Sequence, residues 1–171
     1  MPALFAKAIT PDAPRDGRDD FDAMVGRWAV SHRRLRQRLA GDTHWDEFAG
    51  TSEFRPLIGG MGNVDDNVLE LPAGPYRAVT LRLFDPETRL WSIRWIDGRT
   101  MHMDETPMQG RFDGGIGTFF ADDFWDGTPI KVRFIWSEIT GQSARWEQAF
   151  STDAGASWET NWIMRFERVG A

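Results

Sequence analysis

The chain has 171 residues, a formal charge of −6 and no cysteine. That length suits one domain with a sizeable core, and the acidic balance excludes an extended nucleic-acid surface, which needs positive potential. The missing thiols exclude disulfides, thiolate metal sites and thiol catalysis, and no apolar run reaches the roughly 18 residues of a membrane-spanning helix.

Residues 1–20 ("MPALFAKAITPDAPRDGRDD") read as an N-terminal arm. They lack the basic and apolar regions of a secretory leader, so the expected compartment is the cytoplasm. Phe21 to Val25 reads as a short helical turn, and no later segment sustains a 3.6-residue period. Nine Trp and twelve Phe accompany a single Tyr, with 17 Gly and 9 Pro. Rigid aromatics favour strands and Gly and Pro punctuate them, so the composition already points to an all-β domain. No repeat of 20 to 50 residues is visible, which removes the basic sign of a propeller or solenoid.

From Gly26 onward the period is two. Trp28, Val30 and His32 alternate with Ala29, Ser31 and Arg33, and "AGDT" turns the chain into "EFAGTSEFRPL". "GGMGN" precedes "VDDNVLEL", and "PAGP" leads to the clearest hairpin, "YRAVTLRLFDPETRLWSIRWID". If Asp85 pairs with Arg89, then Leu83 faces Trp91, Leu81 faces Ile93 and Val79 faces Trp95, three apolar cross-strand pairs. Further on, Ile130, Val132, Phe134 and Trp136 share a face, as do Trp146, Gln148 and Phe150, and then Trp158, Trp162, Met164 and Phe166, a row that ends at Arg168. Residues 21–171 are therefore expected to form a single antiparallel up-and-down barrel of about 8–10 strands, since no long helix is available to cover an open sheet edge.

Gly26-x-Trp28 in the first strand and Arg168 in the last resemble the signature of lipocalins and the wider calycin group. In those barrels the arginine lies over the indole and seals the closed end, which implies a structural role for Gly26, Trp28 and Arg168. Through "FDAMVGRW", "GTSEFRPLIGGMGNVDDN", "LRLFDPETRLWSIRWID", "GRFDGGIGTFFADD" and "RFIWSEITGQSARWEQAFSTDAGASWETNWIMRFER" the chain also resembles an uncharacterised bacterial family of lipocalin-like barrels. That likeness implies a fold and no reaction.

Ser151, Asp153, Gly155 and Trp158 match S-x-D-x-G-x-x-W, the Asp-box turn of sialidase blades. One such box in a chain this short reads as a tight hairpin turn, with Phe150 expected opposite Trp158. His32, His44 and His102 show no metal-ligand spacing. In "HRRLRQR" the alternation sends Arg34, Arg36 and Arg38 one way and Arg33 the other. Adjacent carboxylates such as Asp65 and Asp66 point to opposite faces in a strand and cannot form a catalytic dyad there.

An 8–10-stranded barrel can hold one small molecule, and inward aromatics with a few polar points are what such pockets contain. The expected ligand-binding residues are His32, Arg34, Trp91, Trp95, Phe134, Trp136, Trp146 and Gln148, with His32 or Arg34 orienting a polar head. The expected partner is a small, largely apolar molecule, with no nucleic acid or membrane partner and with a homodimer as a further possibility. No catalytic residue, metal or cofactor is assigned. The alternatives are haem held by a histidine, an isomerase or hydratase using His32 or His102 as acid-base catalyst, and a ligand-free scaffold or oligomerisation module.

Overall fold

The structure, a computed structural model, describes residues 16–170; of the N-terminal arm only residues 16–20 fall among them. A 3-10 turn at Asp22–Met24 leads into eleven strands: β1 (Gly26–Leu35), β2 (Trp45–Leu57), β3 (Gly62–Leu71), β4 (Gly74–Asp85), β5 (Leu90–Asp97), β6 (His102–Met103), β7 (Met108–Asp113), β8 (Ile116–Trp125), β9 (Thr128–Ser137), β10 (Ser143–Ser151) and β11 (Glu159–Arg168). The sheet runs β4-β3-β2-β1-β11-β10-β9-β8-β7-β5, and pairing of β4 with β5 closes it into a ten-stranded antiparallel barrel, with β6 appended to β5. Closure removes the unpaired edge of an open sheet.

The floor forms where the first and last strands meet. Trp28 lies opposite Arg168 in the β1–β11 register, and the guanidinium sits 4.2 Å from the indole centroid. Arg168 also donates to the carbonyls of Ala23 (2.6 Å), Val25 (2.9 Å) and Gly141, while the Trp28 indole donates to Met24 O at 2.7 Å. One side chain thus ties the entry turn, β1 and the β9–β10 loop together. Gly26 is required at this point: its φ is +121° and a Cβ there would lie 2.5 Å from an Arg168 nitrogen. Phe21 and Met24 are buried and plug the same end.

The β4–β5 hairpin corrects the register read from the sequence. Asp85 pairs with Leu90, not Arg89, so Phe84 faces Trp91, Arg82 faces Ile93 and Thr80 faces Trp95. The Asp85 carboxylate accepts from the Glu87 amide (2.8 Å) and the Thr88 hydroxyl (2.9 Å), and Arg89 donates its amide to Asp85 O from a left-handed φ of 57°. The loop is one residue longer than three apolar pairs suggested. That single step exchanges the faces of the whole strand: Arg82 is 3% exposed and Leu83 is 38% exposed.

The Asp-box run is a hairpin turn, closed by Ser151 and Asp153. Ser151 Oγ accepts the Gly155 amide at 2.8 Å, and Asp153 accepts the Ser157 amide at 2.8 Å. Here too the pairing differs by one: Phe150 lies opposite Glu159, and Trp158 precedes the strand. An irregularity between Gln148 and Ala149 shifts the β10–β11 register, so Trp158 leaves the inner row and packs outside against Phe120 and under Arg133.

Candidate binding cavity

Strand β1 runs from Trp28 at the floor to Arg34 at the far end, and there the barrel interior is hollow. The cavity has a volume of about 320 Å³, at the lower end of the range for small-molecule sites. Alternation on β5, β9, β10 and β11 directs Trp95, Phe134, Trp136, Trp146 and Trp162 into its wall. Four of these rings hold one another edge-on, with centroids 4.8 Å apart for Phe134–Trp146, 5.5 Å for Trp146–Trp162 and 6.0 Å for Trp95–Trp162. Such contacts fix ring positions and preform an apolar surface.

The inner end of the cavity is ionic, which the sequence reading did not foresee. Arg82 donates to Asp65 at 2.8 Å and to Asn63 Oδ1 at 3.0 Å, and both charged side chains are 3% exposed. Asp65 also accepts from the Thr80 amide (2.9 Å) and from Asn67 (2.8 Å). The guanidinium lies within 5.4 Å of the ring centroids of Phe54, Phe21 and Trp136. Three donors on the carboxylate and aromatic faces around the guanidinium offset the cost of burying the pair away from water. The sequence signal for this is that Asn63, Asp65 and Asn67 share a two-residue row with Leu69, and the structure turns that whole row inward. Three inward polar side chains call for a countercharge. Asp66, on the other face, meets Arg77 at 3.3 Å outside, in keeping with opposite faces for adjacent carboxylates.

The open end carries several charges. Arg34 lies 5.3 Å from both the Phe48 and the Trp162 centroids, and Arg38 lies 4.9 Å from Trp125. Arg36 does not follow them inward, because regular alternation stops at Leu35; it pairs outside with Asp46 at 2.9 Å, and Arg33 pairs with Glu47 at 3.0 Å. Burial, with the charge of Arg34 second, lowers the Arg38 pKa to about 10. Arg99 caps Tyr76 at 4.0 Å and binds Asp97 at 2.6 Å, which holds the Asp97 carboxyl below its ordinary range. On the other side of the opening lie Asp104, whose pKa burial raises, and the exposed Asp123.

Of the residues expected to bind a ligand, Arg34, Trp95, Phe134, Trp136, Trp146 and Gln148 line this cavity. His32 and Trp91 point inward but are not on its lining. Trp91 sits at the floor, where its indole donates to Gly17 O at 2.9 Å and packs edge-on to Phe21. His32 is stacked on Phe48 at 4.6 Å, and its Nδ1 accepts from the Trp162 indole at 3.2 Å, which leaves Nε2 as the protonated nitrogen. Burial lowers the His32 pKa to about 4, with the nearby Arg34 charge as the smaller cause. The ring is therefore neutral at physiological pH. His102 is exposed and lies outside the lining. Among the described residues no three His, Asp or Glu side chains are grouped to hold a metal ion, and no helix is long and apolar enough to cross a membrane.

No protein-family model matches the chain, and no curated protein matches it. Among solved structures it is similar to an S-type phycobiliprotein lyase, CPES, from Guillardia theta, with a TM-score of 0.58 and 12% sequence identity. The match covers 91% of this chain and 96% of that one. At that identity the likeness is one of fold, and it supports a lipocalin-like, calycin-type barrel.

Proposed function

We propose that the protein binds a small, largely apolar molecule inside the barrel. The observation that carries this reading is the hollow above the sealed floor: a 320 Å³ cavity walled by tryptophans that are braced against one another instead of filling the space. A scaffold with no ligand would fill its interior, because apolar voids forfeit contacts on one side. The resemblance to a phycobiliprotein lyase is consistent with a barrel that handles a small molecule. Trp95, Phe134, Trp136 and Trp146 supply contact area, Gln148 a hydrogen-bonding point and Arg34 a charged one. Acid-base catalysis by a histidine draws no support from the geometry, since neither His32 nor His102 lines the cavity. Haem binding through a histidine lacks support for the same reason.

The test is fluorescence titration with dansylamide, a neutral apolar probe, on the wild type and on Ala121→Trp, which places an indole in the lining. Binding by the wild type and loss of binding in a folded Ala121→Trp variant support the reading. No binding by the wild type, or equal binding by both, would overturn it. Native mass spectrometry of freshly purified protein would show any copurifying small molecule directly.

A further inference from the structure

Eight charged side chains line the cavity: Arg34, Arg38, Arg82 and Arg99 with Asp65, Asp97, Asp104 and Asp123. Four of them neutralise one another as Arg82–Asp65 and Arg99–Asp97. The remaining four do not pair across the opening. Among the described residues neither Arg34 nor Arg38 has an ion pair or a side-chain hydrogen bond; both lie against aromatic faces, with Asp97 near Arg34 and Glu159 near Arg38 too distant to pair. Two like charges close enough to affect one another are costly to keep together in a half-buried site.

The two remaining aspartates are less demanding. Asp123 is exposed and accepts the Phe124 amide at 2.8 Å, so water and backbone satisfy it. Asp104 is half-buried, and burial raises its pKa. A guanidinium keeps its proton, so an arginine without a direct partner calls for an anion. Arg34 and Arg38 are thus the cations at the opening without a direct partner, and they sit where a molecule filling the aromatic cavity below would present its outer end. Arg38 Nε is moreover buried without a hydrogen-bond partner, a donor available for an acceptor placed there.

We infer that the ligand is an apolar carboxylate, or a comparable anion, whose rings or chain fill the tryptophan-lined cavity and whose anionic group is clamped between Arg34 and Arg38. This rests on the binding function proposed above and adds the chemical class. Each guanidinium offers a fork of N–H donors that matches a carboxylate, and the Phe48 and Trp162 rings, each 5.3 Å from the Arg34 guanidinium, hold it at the opening.

Three probes with one fluorophore separate the possibilities: neutral dansylamide, anionic dansylglycine and cationic dansylcadaverine. The wild type should bind dansylglycine about tenfold or more tightly than dansylamide, the advantage of one charge-assisted hydrogen-bond set. In the Arg34→Met/Arg38→Met variant dansylglycine should bind no more tightly than dansylamide, and in the wild type raised salt should weaken dansylglycine alone. Arg34→Lys, which keeps the charge and packing stem but not the fork, should retain only part of the preference. Equal binding of dansylglycine and dansylamide, a preference for dansylcadaverine, or a preference that survives the double substitution would overturn the inference and leave the apolar cavity standing. Failure of all three probes to bind would instead overturn the cavity reading itself, and this inference with it.

Discussion

Replacing Arg82 by methionine tests the ionic inner end of the cavity. Methionine keeps much of the apolar stem that packs among Phe21, Phe54 and Trp136, so the loss is mainly of charge and hydrogen bonds. Asp65 keeps the Thr80 amide and Asn67 as donors but loses its countercharge at 3% exposure. Leaving one member of a buried pair uncompensated costs about 3–5 kcal/mol. For a chain of this size, at about 2–4 °C per kcal/mol, the melting temperature should fall by about 6–20 °C. Asp65→Asn strands the guanidinium instead and should cost a similar amount. The Asp65→Asn/Arg82→Met double variant buries no charge, so its loss should fall well below the sum of the two singles. Urea denaturation of the four proteins gives the coupling directly. A cost below about 1 kcal/mol for Arg82→Met, or additive losses in the double variant, would refute the assignment of these two residues as a coupled buried pair.

Other consequences follow from single contacts. Arg168→Met removes three carbonyl contacts and the guanidinium over Trp28; a loss of about 2–4 kcal/mol in urea denaturation is expected, and a loss under about 1 kcal/mol would contradict the floor as described. Gly110→Ala would place a Cβ 1.9 Å from Thr118 O and 2.7 Å from a Phe119 backbone atom, so the β7–β8 pairing must shift; about 3 kcal/mol of destabilisation is expected, and an unchanged melting temperature would count against the β7–β8 pairing. For His32, a folded pKa of about 4 lies below the ordinary histidine value of 6.5, so the unfolded chain binds the extra proton first. The stability due to its neutral burial is full above pH 6.5 and is lost as pH falls toward 4. Stability measured between pH 6.5 and 5 should decline less in His32→Gln than in the wild type, and NMR should find the His32 ring neutral at pH 5.5. Parallel declines, or a charged ring at that pH, would contradict the buried, Trp162-bonded imidazole.

Much of the barrel was legible because one rule, alternation, governs most of the chain. It placed Trp28, Val30, Ile130, Val132, Trp136, Met164 and Phe166 inside, and it set Arg168 rather than Arg165 over Trp28. Alternation fails where the strand's residue count fails. One extra loop residue before Leu90 hid Arg82 behind an apparently apolar pairing, and the irregularity at Gln148/Ala149 moved Trp158 outside. Parity also says which side of the wall a residue faces, not how far along the axis it lies. Trp91 and His32 face inward as alternation requires, yet one packs into the floor and the other into a stack with Phe48. Arg38 lies beyond the end of β1, where only the folded turn could bring it over Trp125 beside the opening.

The hollow barrel is tested most directly through its indoles. Tryptophan side-chain N–H resonances, assigned by substitution and followed by NMR during titration with dansylamide, report on both ends of the barrel at once. Trp95, Trp125, Trp136, Trp146 and Trp162 line the cavity and should shift together with a single affinity, while Trp28 and Trp91 at the floor and Trp158 on the outer wall stay in place. Shifts confined to Trp158 or to the floor indoles, with the cavity five unmoved, would show that the interior takes no ligand.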